Sequence, residues 1–169
     1  MTEYYKDKFE AGLEYQDYVS DELRKAGIFL GAYSSRKYQQ ERGESASGIE
    51  IKHDMRFVET GNLYFEIAEK SMPDIPDWTK SGILREDSTW LYLIGDYEQA
   101  FLFSKEQLKR IYYAKSSWKA RGIIARMTQT SIGFTIPVKS VLENGTCIKH
   151  FHFKRQQSMH TERLAAGTV

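Results

Sequence analysis

Three charged side chains alternate along one short stretch of the chain, and a fourth follows close by. Glu50, Lys52 and Asp54 occupy every second position, and Glu66 lies beyond a Glu-Thr-Gly sequence. Residues two apart in a β-strand point to the same face. Two carboxylates side by side repel each other unless a cation lies between them, and such oxygen pairs suit Mg²⁺ or Mn²⁺. With a lysine beside them, the two acids indicate metal-dependent phosphodiester cleavage.

A β-hairpin over residues 48–70 is predicted to bring these groups together. Gly61 takes the third place of a three-residue loop, where a left-handed backbone is required. In this register Asp54 lies opposite Glu66, with Lys52 on the same face, whereas a shift by one residue would separate the two acids. The charged face could also be a solvated surface with cross-strand ion pairs. The adjacent carboxylates favour the metal site.

Basic residues cluster in two further places. A polar loop over residues 34–47 leads into the predicted hairpin, and from it Glu44 could reach the two acids. Several basic residues also surround Trp118, a pattern that suits a phosphate backbone and is equally compatible with a plain solvated surface. The candidate nucleic-acid contacts are Arg36, Lys37, Arg56, Lys119, Arg121 and Arg126.

Length and composition limit the classes of protein that fit. The 169 residues are enough for one domain, predicted over residues 1–154, with a flexible tail over residues 155–169. The net charge of +1 means that any nucleic-acid contact needs a local basic patch. A lone Cys147 excludes a disulfide framework, and without a long apolar run or a signal peptide we expect a cytoplasmic protein with no membrane partner.

The remaining pattern predicts alternating helices and strands. Apolar residues at helical spacing predict a first helix, and Ser104 with Gln107 forms a capping box for a later one. The predicted helices cover residues 9–26, 105–112 and 138–143, and the predicted strands outside the first hairpin cover residues 28–33, 88–94, 99–103, 131–136 and 147–154.

The order of these elements, with Asp54 and Glu66 on neighbouring strands, resembles the PD-(D/E)XK nuclease superfamily of restriction endonucleases and Holliday junction resolvases. The resemblance implies an α/β (α+β) fold with a restriction endonuclease-like mixed central sheet flanked by helices. The helix from Gly12 is similar to the family's first helix, with Gln16 where an acid is usual. Ala68 replaces the family lysine two residues after the second acid.

The resemblance therefore implies a relocated lysine. Lys52 is the preferred candidate because it lies across from Ala68 in the predicted register, and Lys70 is the second candidate. The implied metal ligands, with Mg²⁺ or Mn²⁺ as cofactor, are the side chains of Asp54 and Glu66, the backbone carbonyl of Ile67, and Glu50 for a second ion or an outer contact.

The resulting prediction is a Mg²⁺-dependent DNA endonuclease, with a Holliday junction resolvase-like choice of substrate as one form. Because each such domain has one active site, cutting both DNA strands would need a homodimer or two successive binding events. A Tyr-rich single domain of this kind also suits a phage-encoded nuclease. The alternative is a catalytically inactive nuclease-fold module that binds nucleic acid or another partner, and the missing lysine after Glu66 favours it.

Overall fold

A computed structural model describes residues 3–28 and 48–153 of the chain. Most of the predicted strand over residues 28–33, the residues Arg36, Lys37 and Glu44, and the predicted tail lie outside these ranges. The division into a domain over residues 1–154 and a tail stays a prediction.

The described residues form four α-helices, eight strands and three short 3₁₀ turns. The helices are α1 (Glu3–Lys25), α2 (Phe57–Thr60), α3 (Lys105–Tyr113) and α4 (Val138–Glu143). The strands are β1 (Ile49–His53), β2 (Asn62–Glu69), β3 (Thr79–Lys80), β4 (Leu91–Gly95), β5 (Gln99–Ser104), β6 (Ile124–Met127), β7 (Ser131–Pro137) and β8 (Lys149–His152). The 3₁₀ turns are Gly82–Leu84, Lys115–Ser117 and Lys119–Arg121.

The first sheet has the strand order β1-β4-β5-β8 and is mixed. β1 runs parallel to β4, while β4 and β5, which correspond to the predicted strands 88–94 and 99–103, form an antiparallel hairpin. Helix α1 covers one face of this sheet, where Tyr15, Val19 and Leu23 pack with Ile49 and Ile51 in a buried cluster. The predicted first helix is confirmed, including its apolar inner face.

The second sheet has the order β3-β2-β7-β6, and its neighbouring strands are antiparallel. Its apolar face packs against the first sheet: the ring of Phe65 meets Phe103 edge-on with centroids 5.1 Å apart, and it stacks on Phe134 at 5.6 Å. A register shift between Glu66 and Ala68 interrupts the pairing of β2 with β7. Most of the buried aromatic residues lie in this layer.

The predicted hairpin over residues 48–70 is wrong, because its two strands belong to different sheets. Gly61 does take the left-handed backbone, with φ of 67°, but it ends helix α2 and not a hairpin loop. Asp54 explains the change: its carboxylate accepts the backbone N–H of Arg56 and turns the chain out of the strand direction. The register that places Asp54 opposite Glu66 is therefore wrong as well.

The two helices after β5 lie where the sequence predicts them. Ser104 caps α3 by accepting the N–H of Gln107, as predicted. Lys105, the first residue of α3, is buried and bonds Asp87 at 2.6 Å, which fixes the helix start to the segment after the Gly82–Leu84 turn. The mixed α+β class is confirmed, but the strands form two four-stranded sheets where one central sheet was expected.

None of the helices in the described ranges is both long and apolar enough to cross a membrane.

Candidate functional site

A cavity of about 610 Å³ lies between the two sheets, and five of the charged residues that the sequence singled out line it: Lys52, Asp54, Arg56, Glu66 and Arg126. Lys52 and Asp54 enter it from the end of β1, and Glu66 enters it from β2. Its full lining is Lys52, His53, Asp54, Arg56, Thr60, Asn62, Tyr64, Glu66, Tyr92, Ile94, Arg126, Met127, Thr128, Ser131 and Thr135. The two acids and the lysine thus share one cavity although β1 and β2 are not paired.

Asp54 connects the two sheets through its carboxylate. Its Oδ1 accepts the backbone N–H of Arg56 and its Oδ2 accepts that of Tyr64 on β2, each at 3.1 Å. A carboxylate oxygen has two lone pairs, so each one keeps acceptor capacity for a further ligand. Asp54 is therefore both a structural link and a possible cation ligand.

Glu66 is held by two hydroxyl groups. Ser81 donates to its Oε1 at 2.7 Å and Ser131 donates to its Oε2 at 2.5 Å. The Ser131 hydroxyl lies 2.6 Å from the hydroxyl of Tyr64, whose pKa is raised chiefly by burial, so Tyr64 stays protonated at neutral pH. The orientation of the Glu66 carboxylate is fixed from both sides.

Lys52 is held by a buried acid on its own strand. Its ammonium lies 2.9 Å from Oε1 of Glu50, and Arg85 approaches the same oxygen to 3.9 Å. Burial would raise the pKa of Glu50, but the charges of Lys52 and Arg85 hold it below its ordinary value. Glu50 is fully buried, while Lys52 is partly exposed in the cavity. The ion pair with Glu50 therefore holds the ammonium of Lys52 in place at the cavity.

An aromatic cluster borders the cavity beside Asp54. The His53 ring stacks on Tyr15 of α1 with centroids 4.4 Å apart and meets Tyr97 edge-on at 5.1 Å. Burial lowers the pKa of His53, which favours the neutral imidazole. These contacts fix the end of β1, from which Lys52 and Asp54 project.

Several predicted site residues lie elsewhere. The Ile67 carbonyl accepts the N–H of Ser81, Lys70 lies over the ring of Trp78, and Arg121 donates to Thr146. None of these is part of the cavity lining, and neither are Gln16, Glu50 and Lys119. Arg36, Lys37 and Glu44 are outside the described residues.

Sequence reasoning did not single out Ser81 or Ser131. Both are remote in sequence from the acids, and serine is too common a residue to draw attention by type. The nearest signal was the Ser81-Gly82 pair, which lies in the irregular segment after Pro73 and Pro76, since glycine permits a close approach of the backbone to a strand.

The donor set of the cavity suits a hard cation. Both acidic ligand candidates, Asp54 and Glu66, present oxygen atoms, and hydroxyl groups surround them. Mg²⁺ is commonly bound by one or two carboxylates and keeps several waters. Across residues 3–28 and 48–153, no group of three or more His, Cys, Asp or Glu side chains is placed to hold a metal ion.

Comparison of the chain with protein-family models, with curated proteins and with solved structures finds no significant match.

Proposed function

We propose that the protein is a Mg²⁺-dependent DNA endonuclease whose active site is the cavity between the two sheets. One observation carries the proposal: Lys52, Asp54 and Glu66 line the same cavity, together with Arg56 and Arg126. This set combines two acids for a metal ion, a lysine for a phosphate and two guanidinium groups for neighbouring phosphates.

Asp54 and Glu66 would hold the metal ion. When bound, Mg²⁺ supplies a Lewis acid that polarises a phosphate and makes water a better nucleophile at neutral pH. The protein's own contribution is to keep the two carboxylates in place before the substrate arrives. Backbone N–H groups do this for Asp54, and serine hydroxyls do it for Glu66.

Lys52 would stabilise negative charge on the phosphate or orient the attacking water. Its ion pair with Glu50 holds the ammonium 2.9 Å from that carboxylate, and the partly exposed Lys52 side chain lines the cavity. Lys52 lines the cavity beside both acids, so Ala68 after Glu66 does not remove the lysine from the proposed site.

Arg56 and Arg126 would bind the phosphate backbone on either side of the cut. Arg56 follows β1 and Arg126 lies on β6, and both side chains are exposed where they border the cavity. Guanidinium groups bind phosphate oxygens in pairs of hydrogen bonds, so they suit this role better than lysine.

The test is a cleavage assay on supercoiled plasmid and on a four-way DNA junction, with Mg²⁺, Mn²⁺ or EDTA. We expect metal-dependent cutting that is lost in Asp54→Asn and retained in Asp74→Asn, an exposed aspartate outside the cavity. Lys52→Ala should lower kcat by about 10²–10³-fold, as expected for loss of a charge that acts in the transition state. Lys70→Ala is the matched control and should keep the wild-type rate.

Other outcomes would overturn the proposal. DNA binding without cutting, unchanged by Asp54→Asn and by Lys52→Ala, would assign the chain to the non-catalytic nucleic-acid-binding class. Cutting that survives in EDTA would reject the metal site.

A further inference from the structure

Both carboxylate oxygens of Glu66 accept hydrogen bonds from other side chains. Its two carboxylate oxygens receive hydroxyl hydrogen bonds from two different elements, Ser81 before the Gly82–Leu84 turn and Ser131 at the start of β7. Because the proposed function makes Glu66 a metal ligand, the inference that follows rests on it. We propose that Ser81 and Ser131, with Tyr64 behind Ser131, are positioning residues that hold Glu66 ready to bind the divalent cation.

The hydrogen bonds around Ser131 have a defined direction. A hydroxyl group carries one proton, and Ser131 donates its proton to Oε2 of Glu66. The 2.6 Å contact with Tyr64 therefore requires Tyr64 to donate to Ser131. The chain of hydrogen bonds therefore runs from Tyr64 through Ser131 to Oε2 of Glu66, and it fixes the position of that oxygen.

Ser81 reaches Glu66 from a segment that lies against β2. Ser81 is fully buried, and its backbone N–H donates to the carbonyl of Ile67 at 3.1 Å. At Gly82, with φ of +50°, an added Cβ would lie 2.3 Å from the Glu66 carbonyl oxygen. Only glycine permits this close approach, and the approach brings the Ser81 hydroxyl within bonding distance of the carboxylate.

The backbone groups of both serines are already bonded elsewhere. Ser131 accepts the N–H of Thr128 and donates its own N–H to the Thr128 hydroxyl, which closes the turn between β6 and β7. Ser81 is tied to β2 through its N–H. The folding contacts therefore use the main chain, and the two hydroxyls are left to orient Glu66.

The experiment measures Mn²⁺ binding to the folded, full-length protein by electron paramagnetic resonance, without DNA. The variants are Ser81→Ala, Ser131→Ala and the double substitution, with Glu66→Gln as the reference for loss of the ligand. Ser140→Ala is the matched control, because Ser140 is a buried serine outside the cavity. Circular dichroism at the same temperature shows that each variant is folded.

We expect the double variant to bind Mn²⁺ about 10- to 100-fold more weakly than the wild type, in the range typical for groups that orient a metal ligand. Ser131→Thr keeps the hydroxyl and should restore most of the affinity lost in Ser131→Ala. A merely structural role would lower the melting temperature without changing the Mn²⁺ affinity of the folded protein.

Two results would overturn the inference, and they differ in meaning. If Glu66→Gln loses Mn²⁺ while the double serine variant keeps the wild-type affinity within about twofold, the positioning role is rejected and the metal site stands. If the wild type binds no Mn²⁺, or if Glu66→Gln binds it as tightly as the wild type, the proposed function and the positioning role both fail.

Discussion

Glu50 is a fully buried carboxylate in the middle of β1, and it stays ionised because two cations face it. Such an acid costs free energy to bury and recovers it only through its partners. Lys52 is the nearer partner and also borders the cavity. The same ion pair therefore serves the stability of the strand and the placement of the lysine.

The Glu50 ion pair predicts a specific pH dependence of stability. Its pKa is lower in the folded state than its ordinary value of 4.5, so its contribution is present above that pH and is lost as the pH falls through the folded-state value. At pH 7, Glu50→Gln should lower the free energy of unfolding by about 1–2 kcal/mol, since the Lys52 left behind is partly exposed. Urea unfolding in EDTA at several pH values measures this.

The difference between wild type and Glu50→Gln should shrink below pH 4.5. A difference that stays constant from pH 7 to pH 3 would contradict the ion pair as the source of the stability.

Asp54 has two roles that substitutions can separate. Alanine removes both acceptors of the Arg56 and Tyr64 N–H groups, whereas asparagine keeps one oxygen and the size of the side chain. We expect Asp54→Ala to lower the free energy of unfolding by about 1–3 kcal/mol and Asp54→Asn to lower it less. Urea unfolding without metal measures both, and an unchanged free energy of unfolding in Asp54→Ala would show that the two hydrogen bonds do not stabilise the fold.

At the scale of elements, local patterns predicted most of the strands and helices, but not how strands distant in sequence pair. The alternation in β1 and β2 and the capping box before α3 are properties of neighbouring residues. The pairing of β1 with β4 is a long-range contact, and no short motif specifies it. The hairpin prediction failed for that reason.

The two acids and the lysine line one cavity in spite of this error, whereas Glu50, Ile67 and Lys70 lie outside its lining. Lys52 is on β1 and Asp54 follows the end of that strand, while Tyr64 and Glu66 share a side of β2, as their spacing of two residues predicts. These residues meet in the cavity because two faces converge and not because two strands pair. The serines that bond Glu66 come from distant segments, which only the folded chain brings together.

The close contact of the Gly82–Leu84 turn with β2 gives an element-scale prediction. Gly82→Ala forces a left-handed backbone on alanine and places its Cβ 2.3 Å from the Glu66 carbonyl oxygen. We expect a loss of about 2–4 kcal/mol in the free energy of unfolding, from strain and from the clash together. Gly61→Ala is the matched control, because Gly61 has φ of +67° and open space around it, and it should cost only about 1–2 kcal/mol.

Thermal or urea unfolding of the two alanine variants checks this comparison. Equal losses would mean that backbone strain alone matters and that the turn does not lie tightly against Glu66.

At the scale of the whole molecule, a net charge of +1 leaves no general attraction for DNA. Under the proposed function, DNA contact would come from local cations such as Arg56 and Arg126, which line the cavity. The basic residues around Trp118 are less suited to this role in the folded chain. Lys115 lies over the rings of Tyr112 and Trp118, and Arg121 bonds Thr146, so neither extends toward the cavity.

The salt dependence of DNA binding tests whether Arg126 at the cavity contacts phosphate. Each phosphate contact that is lost lowers the slope of log affinity against log salt concentration by about 0.9. We expect Arg126→Ala to lower the slope by about that amount, measured by fluorescence anisotropy in Ca²⁺ or EDTA to prevent cutting. Arg110→Ala is the control, because Arg110 is exposed on α3 and pairs with Glu106. An unchanged slope in Arg126→Ala would remove β6 from the DNA contact.

The central claim is that Asp54 and Glu66 bind one divalent cation in the cavity between the sheets. The most direct measurement is an anomalous difference map from crystals of the full chain grown with MnCl₂, collected at a wavelength where manganese scatters anomalously. We predict a peak in contact with the carboxylates of both Asp54 and Glu66, absent from crystals of Glu66→Gln. Crystals of the wild type with no manganese peak in the cavity, or with one that touches neither acid, would contradict the account.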